Sequence, residues 1–587
     1  MKKLLIGLTT FLFAFAIIGC VDVVTTETAA PTTTAAPTTT AAPTTTVVTT
    51  QGTTLPGETT TVTEAPTTTA APTTTAVPKV LMDLPDDPVE IVFWHIYGVD
   101  KSALLDTMID EFEAMFPNVT ITSTSQSDYN TLREKINLGI SVNQVPTMAL
   151  GYPDHYAAYI TANAVAKLDT YINSNVRYEV LDSQSTIFGQ FVDVGLDIED
   201  FVPGYLAENN QYIGGFYYSL PYSKSTETMA VNRMVLKHHV TAIRALGIEI
   251  SDEGFLSHDN PLTFQQLQDL TPILTSGTGT TNVGEKKCGY LLNYDSSGNM
   301  YINMSRQFNA PYTNSLGEIL IDNATTLSML NYINAMFNAK TFVLPIIWGQ
   351  SYGSLNFKYG DVCMTVGSTA GVGYNIPSLA DTQANLKFGI FDVDFVGVPQ
   401  SVAEHNTPVT LTDGTNNYSF TGSLSAVQQG PNIGIFSRAT ANEKLFAWLF
   451  IKYLTNTDNT ARWAMDTGYL PVRLSAYTSE VGIPLTTTFT TTYADFLEIA
   501  QEYWEADGIV DWEVTDERWD YLHSSMVANV ARAQTQYYQY DPAFAAGARS
   551  AGSAQARVEA GYCLEFIFNK TRTPSAALSF MKNQLTW

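Results

Sequence analysis

Aromatic side chains near predicted strand ends and in loops are the residues of this chain whose types could bind a solute. They are Trp94, Tyr97, Tyr129, Tyr152, Tyr222, Trp348 and Tyr469. A flat ring stacks on the C–H face of a sugar, and a few converging polar groups then hydrogen-bond its hydroxyls. Ser368 supplies one such hydroxyl on a glycine-rich turn, where backbone N–H groups can approach a ligand closely. These residue types predict a site for a neutral polyol or sugar, although most aromatic residues of a folded chain belong to its core.

Alternating strands and helices would position these side chains. Runs of β-branched and aromatic residues predict strands, and apolar residues at helical spacing predict helices. The predicted order is strand 89–94, helix 104–115, strand 119–122, helix 132–140 and strand 146–150. This order is typical of an α/β fold with a parallel sheet, which binds ligands at the carboxyl ends of its strands. Residues 94–97 and 151–155 would lie at that edge.

The first residues of the chain predict export and a lipid anchor. Lys2 and Lys3 precede an apolar run over residues 4–18, which is short for a membrane span of about 20 residues. The sequence Ile17-Ile18-Gly19-Cys20 resembles the lipobox of bacterial lipoproteins, which implies cleavage after residue 19 and lipidation of Cys20. An ordinary signal peptide or an uncleaved anchor helix is the alternative. The prediction places the rest of the chain on the extracellular face of the cell membrane.

Residues 20–78 are predicted to be a disordered tether that begins with the lipidated cysteine. The hexapeptide Ala-Ala-Pro-Thr-Thr-Thr repeats three times in residues 29–46, and residues 21–78 contain no aromatic residue and no Lys or Arg. Such a segment cannot bury enough apolar surface to offset the entropy of ordering. Its many threonines could carry O-linked glycans.

Residues 79–587 form the predicted head, which is too long for one compact core. The chain has a formal net charge of −27, which argues against binding nucleic acid or anionic lipid. After Cys20 only three cysteines remain, so the sequence predicts no disulfide framework. Cys363, inside an apolar run, is interpreted as a small buried hydrophobic residue.

Motifs through most of the head resemble the extracellular solute-binding proteins of ABC importers, family 1, the carbohydrate-type group that includes maltose-binding protein. Each motif alone is weak, but together they follow the order of that family. They are Leu220-Pro221-Tyr222 with Ser225-Thr226 and Asn232-Arg233, then Leu262-Thr263-Phe264, Gly360-Asp361 with Met364, Gly397-Val398-Pro399, and Gly468-Tyr469-Leu470-Pro471. The family often has a sugar-stacking tryptophan shortly after the Gly-Asp strand, where this chain has Thr369. Tyr374 or Trp348 could take that role.

The resemblance implies a two-lobed, type II periplasmic-binding-protein-like α/β fold with discontinuous lobes joined by a hinge. The expected ranges are 86–217 with 392–476 for the first lobe, and 218–391 with 477–587 for the second. It also implies an interlobe cleft that captures a sugar or oligosaccharide and delivers it to the permease subunits of an ABC importer. In the family an acid follows the third strand, here Asp154, and Ser223 and Ser225 face the cleft from the crossover. Asp154 could instead cap a turn, and the two serines could shape the hinge locally.

Other functions are weighed against that expectation. The motifs His-Glu-x-x-His and Gly-x-Ser-x-Gly do not occur, so the sequence predicts no enzyme, no metal site and no cofactor. A tethered glycoside hydrolase stays open, because the separation of two catalytic carboxylates cannot be read from sequence. A surface adhesin is a further alternative. Glycerol phosphate is the alternative ligand, which would need basic residues in the cleft, and the head is expected to be monomeric.

Overall fold

The structure is a computed structural model that describes residues 78–212, 214–314, 318–378, 381–478, 527–528, 530–538 and 552–585. Cys20, the predicted signal peptide and all but the last residue of the predicted tether lie outside these ranges. So does much of the segment that follows residue 478. Across the described ranges, the helices are all too short or too polar to cross a membrane.

Strands and helices alternate along the head. The strands are β1 (Val80–Asp83), β2 (Val89–His95), β3 (Val119–Ser125), β4 (Met148–Gly151), β5 (Val176–Glu179), β6 (Phe191–Asp193), β7 (Leu220–Pro221), β8 (Ser225–Asn232), β9 (Tyr290–Tyr294), β10 (Phe342–Val343), β11 (Val362–Ser368), β12 (Val393–Val396), β13 (Thr407–Thr412), β14 (Asn417–Gly422), β15 (Gln428–Gln429) and β16 (Asn432–Ile435). The helices are α1 (Val99–Met115), α2 (Tyr129–Val142), α3 (Pro153–Thr161), α4 (Asp169–Ile172), α5 (Pro203–Leu206), α6 (Arg233–His238), α7 (Val240–Ala245), α8 (Phe264–Leu274), α9 (Ser297–Gln307), α10 (Ala324–Asn338), α11 (Ser354–Lys358), α12 (Ala441–Leu454), α13 (Thr457–Thr467), α14 (Ser553–Phe568) and α15 (Pro574–Leu585). The predicted order strand, helix, strand, helix, strand over residues 89–150 is confirmed.

The first sheet has the strand order β3-β2-β4-β16-β7. Strands β2, β3 and β4 run parallel, and β16 is antiparallel to both β4 and β7. The central strand β2 alternates buried and outward-facing positions, with Ile91 and Phe93 fully buried. Helices α1 and α12 supply the apolar residues that cover this sheet, so its core joins the beginning of the head to residues after 430.

The second sheet has the strand order β10-β9-β11-β8-β12, and β15 also pairs with β8. Strands β9, β10 and β11 are parallel, whereas β8 is antiparallel to both of its neighbours in that order. Strand β12 lies in this sheet, although the sequence boundaries assigned residues 392–476 to the first lobe. The apolar residues of β12, which starts at Val393, belong to the second core. The chain returns to the first sheet at β16.

Two separate clusters of buried apolar residues define two lobes, as the predicted fold class requires. The cluster around the first sheet includes Trp448, whose indole Nε1 donates to the carbonyl of Val194 over 2.8 Å. The cluster around the second sheet takes in residues of α14 and α15 near the end of the chain. The last helices therefore belong to the second lobe. The chain passes between the two sheets from β7 to β8 and from β15 to β16.

Cys288 and Cys363 form a disulfide bond, with their Cα atoms 5.6 Å apart. The prediction of no disulfide framework is therefore wrong, whereas the predicted burial of Cys363 is confirmed. Strands β9 and β11 are parallel neighbours, and Tyr290 pairs with Val362. Cys288 lies just before β9 and Cys363 lies within β11, so both cysteines are next to this pair. Their separation of 75 positions in sequence conceals this proximity.

Helix boundaries follow local capping. The side chain of Asp128 accepts hydrogen bonds from the backbone N–H groups of Asn130 and Thr131, each over 2.9 Å, which starts α2. Helix α8 starts with a capping box in which the Thr263 hydroxyl and the Gln266 side chain bond each other's backbone N–H.

Candidate functional site

A pocket of 260 Å³ opens where the two lobes face each other. Its lining combines one residue that follows β4 of the first sheet with residues of the second lobe and of α14. They are Tyr152, Glu227, Asp295, Ser296, Asn299, Tyr352, Ser368, Gln429 and Arg557. Most of the lining is polar or charged, and its two aromatic residues are tyrosines.

Glu227 forms the floor of this pocket from β8 and is only 1% exposed. Its carboxylate accepts hydrogen bonds from Tyr294 Oη over 2.5 Å, Asn299 Nδ2 over 2.8 Å and Gln429 Nε2 over 3.1 Å. Burial raises the pKa of Glu227 to about 7, partly opposed by the hydrogen bonds from Tyr294 and Asn299. The buried charge is thus held by neutral donors rather than by a cation in contact with it.

Asp295 is the second carboxylate of the pocket and follows β9 directly. Its Oδ1 accepts a hydrogen bond from the backbone N–H of Gly353. Burial raises the pKa of Asp295 to about 6, which the Gly353 hydrogen bond opposes. Above about pH 6, Asp295 is therefore a carboxylate that can accept hydrogen bonds from a ligand's hydroxyl groups.

Arg557 enters the pocket from α14, a helix that the sequence analysis left without a role. Its Nη2 donates to Asn299 Oδ1 over 2.6 Å, and its guanidinium lies 5.6 Å from the centre of the Tyr152 ring. The positive charge of Arg557 also acts at longer range on Glu227, where it opposes the rise in pKa caused by burial. A helix near the end of the chain thereby contacts side chains of both lobes.

Tyrosines of the first lobe cluster next to the pocket. The rings of Tyr129 and Tyr152 are 4.6 Å apart, and Tyr97 lies 6.4 Å from Tyr469. Lys101 Nζ lies 5.3 Å from the centre of the Tyr469 ring. The structure thus groups Tyr129 and Tyr469, both proposed from sequence, beside the pocket residue Tyr152.

Three other sequence candidates lie below the surface. Tyr222 is 2% exposed and stacks on Trp463, with ring centres 5.4 Å apart. The hydroxyls of Ser223 and Tyr97 are 2.5 Å apart, and Ser225 pairs with Gln429 in the sheet. These residues are buried at the connection from β7 to β8 and do not line the pocket.

The remaining candidates are distributed more widely. Ser368 lines the pocket, and its Oγ accepts a hydrogen bond from Ala370 N over 3.3 Å. Asp154 lies in the first turn of α3, where its Oδ1 accepts from His155 N over 3.1 Å. Trp94, at the end of β2, is half-buried against the first core. Trp348 packs edge-on against Tyr290, 5.7 Å away, in the second lobe.

Several pocket residues escaped the sequence analysis, notably Glu227, Asp295 and Arg557. Glu227 directly follows the crossover residues Ser225-Thr226, and Asp295 follows a five-residue buried strand. The rule that ligands bind at carboxyl ends of strands could have indicated Asp295. Arg557 carries no comparable signal, since only the packing of α14 on α9 brings it to the pocket.

The arrangement has the groups that bind a polyhydroxylated ligand. Carboxylate acceptors, amide groups, hydroxyls and one guanidinium can hydrogen-bond a polyhydroxylated ligand, and the tyrosines can pack against its apolar faces. Within the ranges that the structure describes, no group of three or more His, Cys, Asp or Glu side chains is placed to hold a metal ion.

Known proteins with this architecture are two-lobed binding proteins. A structure of UgpB from Mycobacterium tuberculosis in complex with glycerophosphocholine matches with a TM-score of 0.54 and 16% identity, covering 84% of this chain and 97% of that one. The GacH receptor of Streptomyces glaucescens, solved unliganded and with acarbose, matches with a TM-score of 0.52 and 14% identity over 84% and 97%. These likenesses establish the fold.

Sequence comparison defines the family. The model of the family "Bacterial extracellular solute-binding protein" matches residues 107–488. A curated relative, the sn-glycerol-3-phosphate-binding periplasmic protein UgpB of Salmonella typhimurium, is 20% identical over 400 residues, which cover 66% of this chain and 75% of that protein. Because the family match spans more than half of the sequence, the chain belongs to the bacterial extracellular solute-binding proteins.

Proposed function

We propose that this protein captures a small polyhydroxylated solute, a sugar or oligosaccharide, in the pocket between its lobes and delivers it to an ABC permease. The observation that carries the proposal is the pocket itself, in which Tyr152 of the first lobe faces Glu227 and Asp295 of the second. A ligand that contacts both lobes stabilises the closed arrangement, because only that arrangement supplies both sets of contacts.

The chemistry of the pocket favours a neutral sugar as its ligand. Asp295 and Ser368 can accept hydrogen bonds from hydroxyl groups, while Tyr152 and the exposed Tyr352 offer apolar ring faces. Two carboxylates in the lining oppose a doubly charged anion. Acarbose, the ligand of the GacH receptor, is a molecule of this polyhydroxylated kind.

A glycerophosphate ester is the second candidate, and Arg557 is the observation that favours it. Arginine binds phosphate oxygens with two parallel N–H groups, and Arg557 supplies such a fork at the pocket. The proteins named UgpB, which are similar to this chain, bind sn-glycerol 3-phosphate or glycerophosphocholine. A diester with a single negative charge suits the pocket better than a doubly charged monoester.

Calorimetric titration of the purified protein with matched solutes tests both candidates. The panel pairs neutral mono- and oligosaccharides with glycerol 3-phosphate and glycerophosphocholine. We expect Asp295→Asn to weaken sugar binding by about tenfold or more, because it removes a charged hydrogen-bond acceptor. The matched control is Asp252→Asn, a carboxylate with an 86% exposed side chain on the same lobe, which should change nothing.

Three outcomes would contradict the proposal. Binding of no solute in the panel would reject the assigned ligand classes, and equal binding by wild type and Asp295→Asn would place the ligand elsewhere. Release of products from an oligosaccharide, monitored by chromatography, would support a glycoside hydrolase instead. Selective binding of glycerophosphocholine that is lost in Arg557→Met would favour the second candidate.

The proposal includes a lipid anchor at Cys20, which would hold the receptor near its permease at the cell surface. Its support is the lipobox-like sequence and the membership in a family of extracellular proteins. Replacing Cys20 by Ala should release the protein from cells while solute binding stays unchanged. Retention of the variant in the membrane fraction would reject the anchor.

A further inference from the structure

The two crossovers that the structure describes, from β7 to β8 and from β15 to β16, meet at one buried ion pair beneath the pocket. Lys224 lies on the crossover from β7 to β8 and is fully buried. Its Nζ pairs with Glu208, which is 8% exposed and belongs to a short 3₁₀ helix over Ala207–Asn210 in the first lobe. A buried ion pair of this kind is weak evidence for added stability.

Lys224 also ties the second crossover and the segment after α13 to the first crossover. Its Nζ donates to the carbonyl of Gly430, over 3.0 Å, on the connection from β15 to β16. Its own carbonyl accepts from the N–H of Leu470 over 2.7 Å. Three segments that are distant in sequence are therefore held by the side chain and backbone of one residue.

Gly430 connects this ion pair to the pocket. The adjacent Gln429 donates to Glu227 over 3.1 Å, and the Gly430 backbone acts on the hydroxyl of Tyr152, where it opposes the rise in that group's pKa caused by burial. The polar groups around one short crossover thus reach Tyr152 and Glu227 on the pocket side and Lys224 on the buried side. A shift of the crossover at Gly430 would change both lobes' contributions to the pocket.

We propose that Lys224, held by Glu208, is a positioning residue for solute capture that keeps the crossovers in register so that closure of the lobes forms the pocket. The inference rests on the proposed function and adds the residue through which pocket and hinge are coupled. Lys224 does not line the pocket and acts through Gly430. Without the pair, the crossovers would move independently. Tyr152 of the first lobe and the pocket residues of the second lobe would then be less often in the arrangement that binds the solute.

The test compares Lys224→Met/Glu208→Gln, which removes the charges together, with wild type and with Lys237→Met/Glu253→Gln. The control removes an ion pair on the second lobe whose side chains are 51% and 46% exposed. Amide hydrogen exchange of the full-length protein without solute should be about tenfold or more faster at Gly430 and Leu470 in the hinge variant only. Titration with a solute that wild type binds should show about tenfold weaker affinity and faster dissociation.

Two further readouts keep this test decisive. Lys224→Arg retains the charge opposite Glu208 and should restore most of the exchange protection at Gly430 and Leu470, which would identify the charge pairing as its source. Exchange at Gly430 and Leu470 that matches wild type, or that rises equally throughout the chain, would overturn the positioning role. If wild type binds no solute of the panel, the proposed function fails, while the exchange data still test whether Lys224 holds the crossovers together.

Discussion

Two buried glutamates near the beginning of β8, Glu208 and Glu227, are held by different kinds of partner. Glu208, beneath the crossovers, is in contact with the ammonium group of Lys224, whereas Glu227, at the floor of the pocket, is held by Tyr294 and neutral amides. Burial raises the pKa of both, and at Glu208 the charge of Lys224 is the main opposing effect. The charge of Glu208 is therefore balanced by a cation within the protein. Glu227 is instead hydrogen-bonded to neutral groups at a pocket that a solute can reach.

The largest effect is expected when the neutralised glutamate loses its partner. Lys224→Met leaves Glu208 as a buried charge without its cation, so the free energy of unfolding should fall by about 3–5 kcal/mol. Urea denaturation followed by circular dichroism measures this change. Adding Glu208→Gln should recover part of the loss, and Lys237→Met, at an exposed ion pair, should cost less than about 1 kcal/mol. If Lys224→Met is as stable as wild type, Glu208 does not depend on its ion pair and does not differ from Glu227 in this respect.

A smaller loss is expected at the crossover that joins the two regions. Gly430 has φ +87°, and a Cβ there would lie 2.0 Å from the carbonyl oxygen of Ser223. Gly430→Ala should therefore cost about 2–4 kcal/mol from left-handed strain and steric overlap. Gly414→Ala is the matched control, because its φ is +86° but no heavy atom lies within 4 Å of the added carbon. Equal losses in the two variants would show that the crossover tolerates displacement.

The smallest effect is a pH dependence carried by the pocket glutamate. The pKa of Glu227 is raised to about 7 in the folded protein, so the folded state binds its proton more tightly than the unfolded state does. Its contribution to stability is therefore largest at low pH and is lost as the pH rises from about 4.5 to about 7. The stability of wild type relative to Glu227→Gln should fall by about 1–3 kcal/mol across that range. Thermal unfolding of both proteins in a pH series measures it, and a constant difference would show that neutral donors suffice for the charged form.

The sequence predicted the α/β alternation, because strand and helix signals between residues 89 and 150 are local, and the two-lobed fold was implied by the resemblance to solute-binding proteins. It also indicated Tyr129, Tyr469 and Ser368, which follow or flank elements of the two sheets. Those residues surround or line the pocket, and their role in binding stays a prediction.

Features that depend on long-range packing could not be predicted in this way. The disulfide between Cys288 and Cys363 requires the pairing of β9 with β11, and Arg557 reaches the pocket only because α14 packs on α9. The position of β12 in the second sheet has the same origin, since an apolar strand carries no information about which lobe it joins. Local sequence predicts elements, whereas the pocket is made by segments that meet in three dimensions.

Mass spectrometry of the small molecules that copurify with the protein tests the central claim most directly. Wild type and Asp295→Asn would be purified in parallel from the same cells, denatured, and compared for released solutes. The account predicts that wild type releases a polyhydroxylated solute and that the variant releases about a tenth as much or less. Equal amounts of the same molecule from both proteins would contradict a binding site between the lobes at Tyr152, Glu227 and Asp295.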